Sequence, residues 1–314
     1  MSSLCVCVCI YKSENGLPYV LANLHTIHKS RIFDRLKVIA IHEKYDGVGT
    51  GDSCNYTTEY SLLTSFANHL PPNSLEIIQN QYPTTPVRQR NIGNARNTFL
   101  NRMRVLRDEK NETYDHFAMM DTNDYACIGP VCVDTLREAM ACSDKWDSLS
   151  FLREAQYYDI WALSFDPYIH SFFHFNRSWY EVRDEMRAAF NAYIAGYEDR
   201  ALDEKMLIPV YSAFNGFALY RSSIYVYASS MLPELRYSDE IDVGFYPSDV
   251  LKKQTQLLGC NTDGRINDDC EHRYFHMASM QPPHNARIFI YAMSLFAKMR
   301  DRDRPSRFTS RALI

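Results

Sequence analysis

The sharpest change of chemistry in the chain lies in Phe117-Ala118-Met119-Met120-Asp121-Thr122-Asn123-Asp124, an apolar run that stops at two carboxylates and an amide. Hard divalent cations take oxygen ligands of this kind. A Mg²⁺ or Mn²⁺ held by one or two carboxylates keeps its other positions for a diphosphate. Asp and Asn are equally at home in a plain strand-end turn, so the segment alone leaves both readings open. Upstream, Arg88-Gln89-Arg90-Asn91-Ile92-Gly93-Asn94-Ala95-Arg96-Asn97 sets three arginines around a predicted helix start. Guanidinium and free backbone N–H groups both suit phosphate there. Solvated surface arginines are the plainer alternative, and Arg96 is the one expected to act.

Three further segments carry candidate groups. Asp268-Asp269-Cys270-Glu271-His272-Arg273-Tyr274-Phe275-His276 is dense in titratable side chains. On a helix, His272 and His276 share a face and could approach one ion, and Glu271 beside them suits a general base. The zinc-protease order His-Glu-x-x-His is absent. In Ile208 to Arg221 an apolar run is broken by Asn215-Gly216, which permits close approach of a sugar or phosphate or makes a hairpin turn. Tyr157-Tyr158-Asp159-Ile160-Trp161 joins rings that stack on a sugar to a carboxylate that bonds its hydroxyls, a mixture equally ordinary in a core.

The elements that must position these groups follow from periodicity. Leu4 to Tyr11 reads as a buried strand, and the pattern Leu21, Leu24, Ile27 as the helix after it. The alternation returns with a strand over Leu36 to His42, a helix near Tyr60 to His69 and a strand over Leu75 to Ile78. A helix through Ile92, Ala95, Phe99, Met103 and Leu106 then leads to a strand over His116 to Met120. Repeated strand–helix units predict a mainly parallel sheet with helices on both faces. In such sheets ligands collect at the carboxyl ends of strands, which is where Asp121 falls. Beyond Asp124 the pattern loosens into a less regular half.

Composition narrows the partners. The chain has 314 residues, 46% hydrophobic and 23% charged, with a formal net charge of -4, so nothing pulls it toward nucleic acid or an anionic membrane. The short apolar start, Met1 to Ile10, lacks a basic flank and reads as neither signal peptide nor anchor, and a cytoplasmic enzyme without stable membrane insertion is expected. Nine cysteines, with Cys5, Cys7 and Cys9 alternating along one strand, read as reduced core residues. The tail from Lys298 carries six Lys or Arg among seventeen residues and reads as a solvated terminus.

The order of these pieces resembles the GT-A nucleotide-sugar glycosyltransferases encoded by large DNA viruses of algae, with similarity to fungal capsule mannosyltransferase-type proteins. The matching pieces are Ala95-Arg96-Asn97, Met120-Asp121-Thr122-Asn123-Asp124, Tyr157 to Leu163, Ser212 to Ala218, Cys270-Glu271-His272 and Phe275-His276, which together span nearly the whole chain. The resemblance implies an α/β GT-A fold, Rossmann-like, with residues 1–125 as the nucleotide-sugar-binding half, 126–285 as the acceptor-binding and catalytic half, and 286–314 as a C-terminal strand and basic tail. It implies a UDP- or GDP-sugar donor, a glycan acceptor, and Mn²⁺ or Mg²⁺ as cofactor. Donor contacts would come from Tyr11, Glu14, Glu43, Asp46, Arg96, Asn97, Asp159, Trp161, Asn215 and Gly216; metal ligands from Asp121, Asn123, Asp124 and His276; and Glu271 would be the base of an inverting transfer. A viral origin would place the enzyme in the host cytoplasm. Two departures stand out. The family's Asp-x-Asp has Asn123 at its second acid, which predicts modest ion affinity, and Ser164 stands where an Arg is common. A non-catalytic nucleotide-sugar or glycan-binding domain and a metal-dependent phosphoester hydrolase are the rival readings.

Overall fold

The structure is a computed structural model and describes residues 2–11, 13–42, 57–123, 126–153, 157, 159–169, 179–197, 206–229, 231–240, 243–245, 247–250, 252–253 and 269–297. Its first half follows the alternation in the sequence: β1 (Ser3–Ile10), α1 (Leu17–Lys29), β2 (Arg35–His42), α2 (Thr57–Ala67), β3 (Leu75–Gln79), α3 (Arg88–Lys110) and β4 (His116–Met120). All five residues of β4 are buried, as are six of the eight in β1. Strands covered on both faces read as continuous apolar runs, and these do. The second half adds α4 (Val133–Ala141), β5 (Ser148–Leu152), α5 (Trp179–Ala195), β6 (Leu207–Pro209), β7 (Phe217–Arg221), the single turn α6 (Ser222–Tyr225), α7 (Glu271–Met280) and β8 (Ile288–Ser294).

One eight-stranded sheet takes in every strand, in the order β3-β2-β1-β4-β7-β5-β8-β6. The parallel block β3-β2-β1-β4 meets a second parallel pair, β5-β8, across β7, which runs antiparallel to both β4 and β5. This is the α/β, mainly parallel architecture that the alternation predicts, and the two halves read from the sequence share a single sheet. Because β7 is reversed, its first residues lie at the edge where β4 and β5 end. Separate apolar clusters fill the space on either side of the sheet: Leu4, Val6 and Val8 of β1 pack with α1, while Cys5 and Cys7 face Phe99 and Met103 of α3. The seven described cysteines are free thiols. Among the described residues no helix is long and apolar enough to cross a membrane. The basic tail from Lys298 lies outside the described residues.

Candidate active site

The carboxyl edge of the sheet gathers residues from five separate segments. Asp121 follows β4, and its backbone N–H donates to the Gly216 carbonyl at 2.8 Å. Gly216 has φ +88°, and a Cβ there would lie 2.4 Å from Ala126 Cβ, so this position needs both the left-handed backbone and the missing side chain. The Asn-Gly pair is therefore no hairpin: β6 and β7 are not neighbours in the sheet. Asn215, 5% exposed, donates to the Phe151 carbonyl at 3.0 Å and accepts the backbone N–H of Asp159 at 3.2 Å. Its amide thus ties the segment carrying Asp159 and Trp161 to the end of β5. Asn215 and Gly216, expected as donor contacts, are committed to shaping the site.

At the centre is Arg96, 4% exposed on α3. Its Nη2 lies 3.2 Å from Asp121 Oδ1 and its Nη1 donates to Glu271 Oε1. The guanidinium also lies over the rings of Phe214 and Tyr237, with its carbon 4.9 and 5.5 Å from their centroids. Burial works against the charge of Arg96, yet Glu271 and Asp121 hold it well above the ordinary arginine range. Asp159 feels the same cluster: burial, then the charges of Asp121 and Glu271, push its carboxyl up to about 7. Burial raises Asp121 as well, although Arg96 opposes the shift. Two carboxylates thus pair with one guanidinium, and a third, Asp159, lies close enough to feel their charge. Asp121, its side chain 26% exposed, and the half-buried Asp159 are open to a ligand, whereas Glu271 is 5% exposed.

The ligand set expected for a metal is not assembled. Among the described residues no group of three or more His, Cys, Asp or Glu side chains is placed to hold an ion alone. Asn123 turns its amide nitrogen toward Asp121 Oδ2, 3.3 Å away, and its oxygen accepts the Ala126 N–H at 2.7 Å. His276 is a core residue: its ring nitrogens sit 3.3 Å from Ser148 Oγ and 3.0 Å from Ser212 Oγ, and burial holds it neutral with a pKa lowered to about 3. Asp124 lies outside the described residues. Mg²⁺ and Mn²⁺ nevertheless need only one or two protein carboxylates when phosphates complete the shell. The surplus of carboxylate over guanidinium at Asp121 and Asp159 is donor chemistry that fits such an ion.

No protein-family model matches the chain, and no curated protein matches it significantly. Among solved structures, apo UDP-glucose pyrophosphorylase aligns over 94% of this chain and 91% of its own at 9% identity, with a TM-score of 0.41. Glucosyl-3-phosphoglycerate synthase of M. tuberculosis aligns over 96% and 73% at 11% identity, TM-score 0.38. The same enzyme with Mn²⁺, UDP and phosphoglyceric acid aligns over 82% and 66% at 10% identity, again with a TM-score of 0.38. Likenesses this faint assign no reaction to the chain, so its chemistry is argued from its own residues.

The remaining expected residues divide. Trp161 is half-buried between two apolar clusters. Asn97 pairs with both backbone groups of Tyr237, at 2.9 and 2.8 Å, and pins that segment rather than facing the edge. Tyr11, 59% exposed, and the exposed Glu14 follow the carboxyl end of β1; Glu43 and Asp46 lie outside the described residues. Of the three arginines, Arg90 forms a two-point pair with Asp239, Arg88 is exposed with its charge still felt by Asp121, and Arg96 is the one buried among the carboxylates.

Two buried features escape the sequence reading. Glu59 of α2, 5% exposed, accepts the Ser13 N–H at 3.2 Å, and Ser13 Oγ lies 2.6 Å from Thr122 Oγ1, which links the turn after β1 to the residue after Asp121. Arg273, 1% exposed, pairs with Asp269 at 2.8 Å and donates to the carbonyls of Trp161, Leu163 and Ile169 and to the Ser164 hydroxyl. Ser164, where the resemblance led to the expectation of an arginine, accepts from the Arg273 guanidinium reaching in from α7.

Proposed function

We propose that this chain is a glycosyltransferase that moves a sugar from a UDP- or GDP-sugar to a hydroxyl of a glycan. The observation that carries the reading is the pairing of Asp121 and Glu271 with Arg96 at the carboxyl edge of the sheet, with Asp159 close enough to feel both carboxylates. Asp121 and Asp159 would hold a divalent ion, which when bound supplies positive charge to the diphosphate of the donor. Asn123 fixes the rotamer of Asp121 by its hydrogen bond to Oδ2. Exposed Tyr11 and Glu14 would contact the nucleoside, and the half-buried Trp161 beside Asp159 the sugar ring. Arg96 balances the carboxylates, so that they stay together in the absence of ligand.

Glu271, paired with Arg96, would take the proton of the acceptor hydroxyl as that oxygen attacks the anomeric carbon, with inversion. General base assistance is worth about 100- to 10,000-fold, so Glu271→Gln is expected to lower transfer by that factor and to leave nucleotide binding intact. Asp159 offers a second reading for the base, because a carboxyl pushed up to about 7 is matched to proton transfer near neutrality. Activity retained in Glu271→Gln and lost in Asp159→Asn would move the role. Calorimetry with UDP and GDP, with and without Mn²⁺, tests the donor: wild type is expected to bind one of them in a metal-dependent way and Asp121→Ala to lose that dependence. Identical affinity under all conditions would remove the ion from the reaction.

A further inference from the structure

A second concavity lies beyond the carboxylate cluster, between α3 and the segment 234–240. It encloses about 300 Å³, at the lower end of the range of small-molecule sites. Its charged walls balance in pairs: Arg90 with Asp239 at 2.9 Å, Arg104 with Glu234, and Arg236 with Glu240 at 3.3 Å. A phosphate or nucleotide pocket leaves cationic charge uncompensated, and here each guanidinium has a carboxylate of its own. What remains on offer is hydrogen bonding without net charge. Asn94 projects from α3 into the cavity wall, and among the described residues its amide has no protein partner. Tyr82 adds a ring and a hydroxyl, the latter 3.3 Å from Asn101 Nδ2. Paired charges, amides and a phenol around a small volume suit a polyol: hydroxyls act as both donor and acceptor and need no counter-ion.

The cavity abuts the site already described. Gly93 and Tyr237 line it, and a Cβ on Gly93 would lie 3.4 Å from Glu271 Cβ and 3.6 Å from Tyr237 Cβ. One glycine's thickness therefore separates its wall from Glu271. We propose that this cavity binds a neutral sugar unit. Resting on the glycosyltransferase reading above, that sugar belongs to the acceptor glycan and is gripped away from the reacting hydroxyl.

The test is direct binding of a panel of neutral hexoses, pentoses and their disaccharides, followed by saturation-transfer NMR without nucleotide or metal. Asn94→Phe fills the cavity from a helix surface without breaking a protein hydrogen bond, and Asn94→Ala removes only the amide. At least one sugar is expected to bind wild type, to bind Asn94→Phe about tenfold more weakly or not at all, and Asn94→Ala less tightly than wild type. Asp121→Ala is expected to bind it undiminished. No binding of any panel sugar to wild type, or equal binding to folded Asn94→Phe, overturns the proposal. Failure of the transferase reading shows separately, as loss of metal-dependent UDP or GDP binding in the same wild-type sample.

Discussion

Asp159 is the residue in which the electrostatics of the cluster are most exposed to measurement. Its carboxyl is raised from an ordinary value of 3.8 to about 7 by burial and by Asp121 and Glu271. A raised carboxyl binds its proton more tightly in the folded chain than in the unfolded one, so its contribution to stability is full below about pH 4 and is lost as pH rises toward 7. At 1.36 kcal/mol per pKa unit the loss is at most about 4 kcal/mol. In metal-free buffer, urea denaturation of wild type is expected to show this decline between pH 4 and pH 7 more steeply than Asp159→Asn. Parallel pH profiles for the two proteins would show that the carboxylates do not feel one another. The same residue shows what a sequence conceals. Asp159 beside Trp161 reads as a sugar contact, but nothing in that spelling places it against Asp121, 38 positions earlier, or Glu271. Asn97, Asn215 and His276 are the converse: polar side chains in apolar surroundings mark a ligand site and a satisfied core position alike, and only their hydrogen-bond partners tell the two apart.

At the scale of elements, α7 depends on an ion pair that its sequence disguises. Asp269 and Arg273 stand four apart, the spacing of an ordinary solvated helix pair, yet both side chains are 1% exposed. Arg273 reaches from α7 to four groups of the 161–169 segment, and so sets where Asp159 and Trp161 stand relative to Glu271. Removing one partner of a buried pair leaves an uncompensated charge, so Arg273→Met is expected to cost about 3–5 kcal/mol, with much of it recovered in Asp269→Leu/Arg273→Met. Denaturant midpoints would report both, and a single variant as stable as wild type would show that the pair is dispensable. The strands and helices up to β4 are legible because each is long and strongly periodic. Beyond it, β5 is Ser148-Leu149-Ser150-Phe151-Leu152, in which both serines are buried like Leu149 and more than Leu152, and no pattern of apolar spacing announces such a strand.

For the whole molecule, the charges crowded at one edge make stability responsive to ligand. A ligand that binds only the folded chain stabilises it by about 2.7 kcal/mol at a hundredfold excess over its Kd, which for a chain of this length is a rise of several degrees in thermal midpoint. Mn²⁺ with UDP or GDP is expected to produce that rise in wild type and a smaller one in Asp121→Ala. Absence of any shift with either nucleotide would set the donor assignment aside. The sheet that carries the edge is continuous, yet its middle is closed by a strand drawn from far along the chain: Met120 pairs with Phe217.

That pairing fixes a timetable. As the polypeptide leaves the ribosome, the first four strands emerge together and can meet one another early, but the amide of Asp121 waits for the Gly216 carbonyl, and Glu271 is delivered later still. During synthesis the nascent chain therefore holds the tip of β4 without Gly216 or Glu271 beside it, and the cluster around Arg96 closes only once Glu271 has been added.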